Sequence, residues 1–577
     1  MTLCPIESEE STCASNNDWK GAHRDANIAG NLFRMEGAIL GQDAVIRPLW
    51  TEEGEFIGEE RWSYGELQAL ARKCCAWLHV RGVRPGQKVL LLVRPGMDLI
   101  LLVFSLMRLG AVPIVIDPGM GLGKFRRAVA HARPDVMIGI GVAHWIGAIF
   151  RSSFRSVVLR LRVGQRFFRE VESSDPVAAW NHSGMRYPVV GEDDLAAILF
   201  TSGSTGAPKG VCYQHGMFLG QVRMLQARFG IEAGEVDIPF LPVFSLFNPT
   251  MGLTTVLPDI NPSRPATLNP AKAVAAIRRY GVTNAFGSPV IWRIIGRYCR
   301  EKGIILESIR RILVAGAAAP VPLYREYRAL IPGGVMASPY GATECLPVSA
   351  VSDRDVLGGT EHSSASGNGI CVGLPFDEVE VRIIEPRLNE VLVPGQNLRF
   401  LPQGSIGEIL VSGPTMTRAY YRSPEASALS KVEHDGRLWH RMGDLGYLDA
   451  RGWLWFCGRM VEAVRADAGL LYTECVEALF QDVPGLKRCA LIAWNALPAL
   501  VLEPEPELSL SRRDFADFVN RVAVCVRERH GNPLPVEHFF VCRSLPVDVR
   551  HNAKIHRLTL AERYAKHKPY GVSPVPG

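Results

Sequence analysis

Thr201-Ser202-Gly203-Ser204-Thr205-Gly206-Ala207-Pro208-Lys209-Gly210 follows directly on the apolar run Leu195-Ala196-Ala197-Ile198-Leu199-Phe200. The run reads as a strand buried on both faces, and the turn that follows lies at its carboxyl end, where open α/β sheets bind ligands. Glycines let the backbone approach an anion closely, and successive amide hydrogens can form a nest around it. The hydroxyls of Thr201, Ser202, Ser204 and Thr205 and the ammonium of Lys209 add donors suited to phosphate oxygens. The segment is not a Walker A loop, because Pro208 precedes Lys209 and Gly210 follows it.

The same grammar extends outward. Ser63, with Glu66 three residues on, predicts a capped helix through Leu67, Leu70, Ala71, Cys74, Cys75 and Leu78, ending at Gly82. Val89–Val93 and Ala111–Asp117 read as buried strands on either side of a helix through Leu99–Leu109, and the pattern recurs at Val282–Phe286 and Ile312–Ala315. Short apolar strands alternating with helices predict a mostly parallel sheet covered on both faces. Between Gly369 and Ser412 short alternating strands predict a small antiparallel, barrel-like subdomain. The composition changes again after Gly458. Two helices and two strands predict a small α+β unit, with Pro498–Ser511 as a surface loop. Residues before Arg61 show weak periodicity and no predicted element.

The chain has 577 residues, 47% apolar and 21% charged, the profile of a globular protein rather than a disordered or fibrous one. Its excess charge of +6 is small for this length and indicates no nucleic-acid surface. Basic residues gather between Arg151 and Arg169, as either a solvated face or an anion or membrane patch. The 13 cysteines form no C-x-x-C pair and fit free thiols. Neither Val136–Phe150 nor the proline-rich Ile238–Pro258 predicts a membrane span, and the start carries no signal pattern. A cytoplasmic protein is expected, with shallow membrane association left open.

Over residues 60 to 560 the chain resembles the adenylate-forming enzymes, which include acyl-CoA synthetases, luciferases and the adenylation domains of peptide synthetases. Their Thr-Ser-Gly-Ser-Thr-Gly-x-Pro-Lys-Gly loop is matched at all its positions by residues 201–210. The resemblance implies that Thr201, Ser202, Gly203, Ser204, Thr205, Gly206 and Lys209 meet ATP phosphates. Pro339-Tyr340-Gly341-Ala342-Thr343-Glu344 is similar to the family's Tyr-Gly-x-Thr-Glu segment. It implies Tyr340 and Gly341 beside adenine, Thr343 on phosphate and Glu344 on Mg²⁺. Gly316 and Ala317, in Gly316-Ala317-Ala318-Ala319-Pro320, would line the adenine pocket. In His440-Arg441-Met442-Gly443-Asp444 the aspartate would accept both ribose hydroxyls. Arg459, after Gly458, would reach ribose or phosphate, and Lys554 falls at the family's C-terminal catalytic lysine. The implied architecture is an adenylation body over 1–458 and a mobile lid over 459–577 that carries Lys554. The implied reaction is attack of a carboxylate on the α-phosphorus of ATP, giving acyl-AMP and pyrophosphate.

The hinge departs from the broad pattern. Gly458-Arg459-Met460-Val461-Glu462 places Val461 where the family has an aspartate, and Leu470 rather than arginine follows Gly469. Phe244-Ser245-Leu246-Phe247-Asn248-Pro249 lacks the usual histidine. These segments, with Val547-Asp548-Val549-Arg550-His551-Asn552-Ala553-Lys554-Ile555, are similar to the β-lactone synthetases of bacterial long-chain olefin biosynthesis. That branch activates a 2-alkyl-3-hydroxyalkanoic acid whose own hydroxyl closes on the acyl-AMP. A long-chain fatty acyl-CoA ligase or an acyl-AMP ligase with a separate acceptor is the alternative. Pathway logic implies thiolase-like and hydrolase partners, and no feature sets an oligomeric state. His215 reads either as a base for the 3-hydroxyl or as a packing residue. Phe244, Phe247, Met251 and Phe286 read as acyl-pocket lining or as core.

Overall fold

The computed structural model describes residues 25–164, 166–174, 186–201, 208–393, 398–467, 469–508, 510–530, 536–547 and 555–571. Ser202, Gly203, Ser204, Thr205, Gly206 and Lys554 therefore lie outside the described residues.

Two sheets build the body. One has six strands in the spatial order Leu159–Arg162, Val136–Gly139, Lys88–Leu92, Val112–Ile116, Leu195–Thr201 and Lys209–Gln214. All its pairs are parallel except the last, which is a hairpin. The helix Tyr64–Val80 packs on this sheet. It opens on the expected capping box, in which the Ser63 hydroxyl accepts from the Glu66 amide and the Glu66 carboxylate accepts from the Ser63 amide.

The second sheet runs parallel from Val335–Ala342 through Arg311–Val314, Asn284–Gly287, Val236–Pro239 and Thr254–Val256 to Asp43–Trp50. At Val335–Ala342 it changes character. Cys345–Ser352 turns back antiparallel, and Ile370–Pro375, Leu454–Arg459, Arg437–Leu448, Gly407–Ser412 and Glu380–Ile384 continue the antiparallel half. The expected small β subdomain is thus hydrogen-bonded onto the parallel half rather than standing apart.

Residues from Val464 onward bury their apolar side chains in two clusters of their own. Their four-stranded sheet orders Leu486–Trp494, Leu497–Pro504, His538–Val541 and Tyr570–Gly571, against the helices Phe515–His530 and Arg557–Tyr564.

Two expectations are corrected. The stretch before Arg61 contains a hairpin, Asp43–Trp50 with Phe56–Ser63, at the edge of the second sheet. Pro498–Ser511 is not all loop, because Leu497–Pro504 is an inner strand with Ala499 to Glu503 buried. A turn through Asn495 and Ala496, both at positive φ, starts it. Glu503 tolerates burial because Lys487 and Arg488 on the neighbouring strand pair with its carboxylate at 2.8 and 2.7 Å. Glutamate and proline content suggested solvent, but cross-strand charge pairing keeps the segment in the sheet.

Candidate active site

A cavity of about 2620 Å³ lies between the carboxyl ends of the body strands and the C-terminal unit. It is larger than an ordinary small-ligand pocket of roughly 300–1,000 Å³ and has the dimensions of an open cleft. Its wall includes Lys209, Gly316, Ala317, Tyr340, Gly341, Thr343, Glu344 and Asp444 from the body, Arg459 at the junction, and Glu474, Arg488 and Arg557 from the C-terminal unit. Nearly every described residue singled out by sequence therefore faces one space. Thr201 ends its strand in register with Lys209, so the hairpin pins both ends of the expected phosphate loop.

The hairpin at the change of strand direction positions the acidic residue. Ala342 pairs with Cys345, leaving Thr343 and Glu344 as the two-residue turn between them. Gly341 is needed for this closure, since a Cβ there would stand 2.6 Å from the Cys345 carbonyl oxygen. The Tyr213 hydroxyl donates to the Thr343 carbonyl at 2.6 Å, and the Thr417 amide donates to the Glu344 carbonyl at 2.8 Å. These bonds hold the backbone and leave the Glu344 side chain on the cavity. There the Tyr420 hydroxyl donates to Oε1 at 2.6 Å. The Lys209 ammonium lies 5.0 Å from the centroid of the Tyr420 ring. Tyr420 thus ties Lys209 to Glu344, a link that no local motif announced. Its only trace in the sequence is the aromatic pair Tyr420-Tyr421.

The second polar cluster joins three strands. Asp444 and Arg459 are register partners, and Nη1 of Arg459 lies 3.1 Å from Oδ1 of Asp444. The Tyr340 hydroxyl donates to the other oxygen at 2.6 Å. Asp444 raises the pKa of Arg459, while burial and then Asp444 push the Tyr340 phenol well above its ordinary value. Asp444 is thus held between a guanidinium and a phenol that stays neutral at neutral pH.

The neighbouring motif residues are structural. Arg441 forms a buried bidentate pair with Glu408, at 2.7 and 2.8 Å, and also donates to the Leu429 carbonyl at 3.1 Å. Gly316, at φ +92°, turns the chain after the strand Arg311–Val314 and brings Ala317 to the wall.

The apolar arm of the cavity holds Leu241, Phe244, Leu246 and Phe247. Phe286 backs Phe244, with ring centroids 3.6 Å apart, and Met251 is buried in the core. His215 packs: it is 2% exposed, accepts from the Ile28 amide at 3.2 Å, and burial pushes its pKa down to about 4.

The residues present fit a nucleotide with its divalent ion. Mg²⁺ uses one or two carboxylates and completes its shell with phosphate oxygens and water. Glu344 supplies one carboxylate beside Lys209, and no group of three or more metal-ligating side chains occurs among the described residues.

Comparison with known proteins shows the family and the fold. The family profile described as AMP-binding enzyme matches residues 45–421. The chain is 39% identical over 554 residues to an olefin beta-lactone synthetase of Stenotrophomonas maltophilia, covering 93% of this chain and 98% of that one. A second such synthetase, from Xanthomonas campestris, is 39% identical over 93% of this chain and 97% of its own. A feruloyl-CoA synthase of Amycolatopsis is 26% identical over 77% of this chain and 83% of its own. Among solved structures, ATP-bound MatB from Rhodopseudomonas palustris superposes with a TM-score of 0.73 at 19% identity, over 94% of this chain and 99% of its own. That likeness is one of fold.

Proposed function

The chain belongs to the family of AMP-binding enzymes, and on that premise we propose that it converts a long-chain 2-alkyl-3-hydroxyalkanoic acid to a β-lactone at the expense of ATP. The observation that carries this reading is the 39% identity, over nearly the whole of both chains, to two olefin β-lactone synthetases. In the first step the acid's carboxylate oxygen attacks the α-phosphorus, the bond to the β-phosphate oxygen breaks, and pyrophosphate leaves. In the second the 3-hydroxyl oxygen attacks the acyl carbon, its proton is lost, and AMP departs. The hydroxyl is tethered to the carbon it attacks, so its effective concentration is high and no separate acceptor has to be bound. Val461 in place of the hinge aspartate and the absence of a histidine at Phe244–Pro249 fit a site that has no thiol to receive.

The family resemblance, with the cavity lining where residues are described, supports the following roles. Lys209 and the loop 201–207 meet the polyphosphate, Tyr340, Gly341, Gly316 and Ala317 flank the base, and Asp444 accepts the ribose hydroxyls with Arg459 beside it. Glu344 holds Mg²⁺, with Thr343 next to it on phosphate. When bound, that ion neutralises part of the polyphosphate charge. Lys554 brings further positive charge to the α-phosphate. We place the hinge between Gly458 and Arg459. Gly458 sits at φ +139°, and a Cβ there would lie 2.3 Å from Thr473 Oγ1, so this joint accepts only glycine. Residues 459–577 then act as a lid over the body 1–458.

The substrate is apolar, and we place the enzyme's encounter with it at an anionic lipid surface. No helix among the described residues is long and apolar enough to cross a membrane. The helix Gly141–Ile149, however, exposes Val142, Trp145 and Ile149 on one face, Trp145 at 73%. Arg151, Arg155, Arg160 and Arg162 are exposed close by in the chain, and no carboxylate pairs with them among the described residues. No acidic residue occurs from 136 to 169. An apolar helix face rimmed by unpaired arginines suits an interfacial position on negatively charged headgroups. Thiolase-like and hydrolase enzymes would precede and follow this step.

The test is to incubate the protein with Mg²⁺-ATP and a long 2-alkyl-3-hydroxy acid, with and without coenzyme A, and to identify products by mass spectrometry and NMR. Lactone with AMP in the absence of coenzyme A is expected. A thioester formed only with coenzyme A would move the assignment to an acyl-CoA ligase.

A further inference from the structure

Lys431 opens the strand Lys431–His434 and is in register with His440. Its side chain is 8% exposed, and its ammonium donates to Thr417 Oγ1 at 3.3 Å. No carboxylate lies within ion-pair distance of it among the described residues, so a group with three donors is held in the protein by one hydroxyl. Such burial is costly: an unpaired ion loses far more hydration than a single neutral partner returns. Burial accordingly pushes the Lys431 pKa down to about 8, against the opposing pull of Cys345 and Glu344. A strand at this position would be better served by a plain apolar side chain, so the fold itself gives no reason for the charge.

The surroundings supply one. The same Thr417 whose hydroxyl anchors Lys431 donates its amide to the Glu344 carbonyl at 2.8 Å. The ionisable groups facing Lys431 are Glu344 and Cys345 on the turn, His440 across the strand pair, and Lys209 beyond it. His440 is driven well below its ordinary pKa by burial first, then by Lys431, with Lys209 adding to the effect. It therefore carries no charge, and the positive fields of the two lysines overlap at this wall. Glu344, Tyr420, His440 and Lys209 all border the cavity, and Lys431 stands behind them.

We propose that Lys431 is a positioning residue for the polyphosphate end of the nucleotide: anchored on Thr417 behind the Glu344 turn, its buried ammonium adds a fixed positive charge to that of Lys209. The inference rests on the assignment of Lys209 and Glu344 to ATP phosphates and Mg²⁺, and it is independent of which acid is activated. It makes Lys431 a residue kept against the interest of stability, a trade found where function requires an uncompensated group.

Lys431→Met keeps the length of the side chain and removes its charge. Calorimetric titration of wild type and variant with Mg²⁺-ATP and with Mg²⁺-pyrophosphate reads the effect without turnover. Loss of one buried charge behind the polyphosphate wall predicts about a tenfold rise in both dissociation constants. The KM of the acid should stay unchanged, and the melting temperature at pH 7 should rise, because the buried charge is gone. Lys431→Gln, shorter and polar, should show the same loss of phosphate affinity. Unchanged pyrophosphate affinity in a folded variant would overturn the proposal. So would a lowered melting temperature, or failure of both variants to fold, since each would make Lys431 a structural residue. A wild type that binds both ligands yet makes no lactone would instead count against the proposed reaction and leave this inference standing.

Discussion

The Tyr340 hydroxyl and the Arg459 guanidinium grip opposite oxygens of Asp444, at 2.6 and 3.1 Å. Both oxygens of the carboxylate are thereby engaged, which fixes its orientation at the cavity wall. The pair joins the parallel half of the second sheet to its antiparallel half, because Tyr340 and Asp444 come from strands that are not neighbours. Tyr340→Phe removes one neutral donor and should weaken ATP binding about tenfold, as expected for a hydrogen bond to a charged group. Asp444→Asn removes the ribose acceptor as well and should cost more. Titration calorimetry with Mg²⁺-ATP measures both, and equal affinities for wild type and Asp444→Asn would remove the ribose assignment.

Lys554 is assigned to the chemical step rather than to binding. Lys554→Ala should lower acid-dependent pyrophosphate exchange by roughly 10²-fold or more, the range for loss of one electrostatic donor. ATP affinity should change little. An exchange rate equal to wild type would mean that another cation serves the α-phosphate.

The polar ends of this site were legible from sequence because each is a short contiguous motif whose backbone geometry is demanding. Gly341 must close a hairpin against the Cys345 carbonyl, and Gly458 must pass Thr473, so both leave a local signature. Lys431 left none, and Tyr420 left only its place in an aromatic pair. Their partners, Glu344 and Thr417, are assembled from distant or unpatterned positions, and a contact 76 residues apart in the chain has no period to detect. The hairpin Asp43–Ser63 was hidden for a related reason. It is a sheet edge in which Arg47, Glu59, Glu60 and Arg61 pair with one another or nearby charges, so the apolar alternation that marks a strand is diluted. The buried Glu503 misled in the same way, since its compensation lies on another strand.

The arginine-rimmed helix gives a physical test of location. The protein should sediment with phosphatidylglycerol vesicles and not with phosphatidylcholine vesicles, and added salt should weaken the association as charges are screened. Ile149→Glu and the pair Arg151→Glu and Arg155→Glu should each reduce vesicle binding by about tenfold or more. Binding that ignores lipid charge, or no binding at all, would reassign this face to a protein partner or to solvent.

Arg441 and Glu408 form a buried ion pair with side chains 4% and 0% exposed. Removing one member strands the other, which costs about 3–5 kcal/mol in comparable pairs. Arg441→Met should therefore lower the denaturant midpoint sharply. The folded fraction should still bind ATP, because Arg441 holds the strand Arg437–Leu448 in place without touching the nucleotide. A folded variant of wild-type stability that failed to bind ATP would instead make Arg441 a direct ligand.

Asp237 lies under the apolar arm, 6% exposed, with the Asn248 amide donating to Oδ2 at 2.7 Å. Burial pushes its pKa up to about 7, against an ordinary value of 3.8, and the Asn248 bond only partly opposes the shift. Between those values the folded protein holds a proton that the unfolded chain has lost. Stability from this group is therefore complete in acid and declines as pH rises towards 7, a loss of at most about 4 kcal/mol. Asp237→Asn stays neutral throughout and keeps an acceptor for Asn248. The variant should melt close to wild type near pH 4, modestly above it at pH 5 and several degrees above it at pH 8. Melting curves across that range decide the matter: a difference that does not grow with pH would mean that Asp237 is ionised in the folded protein and paired with a charge not yet identified.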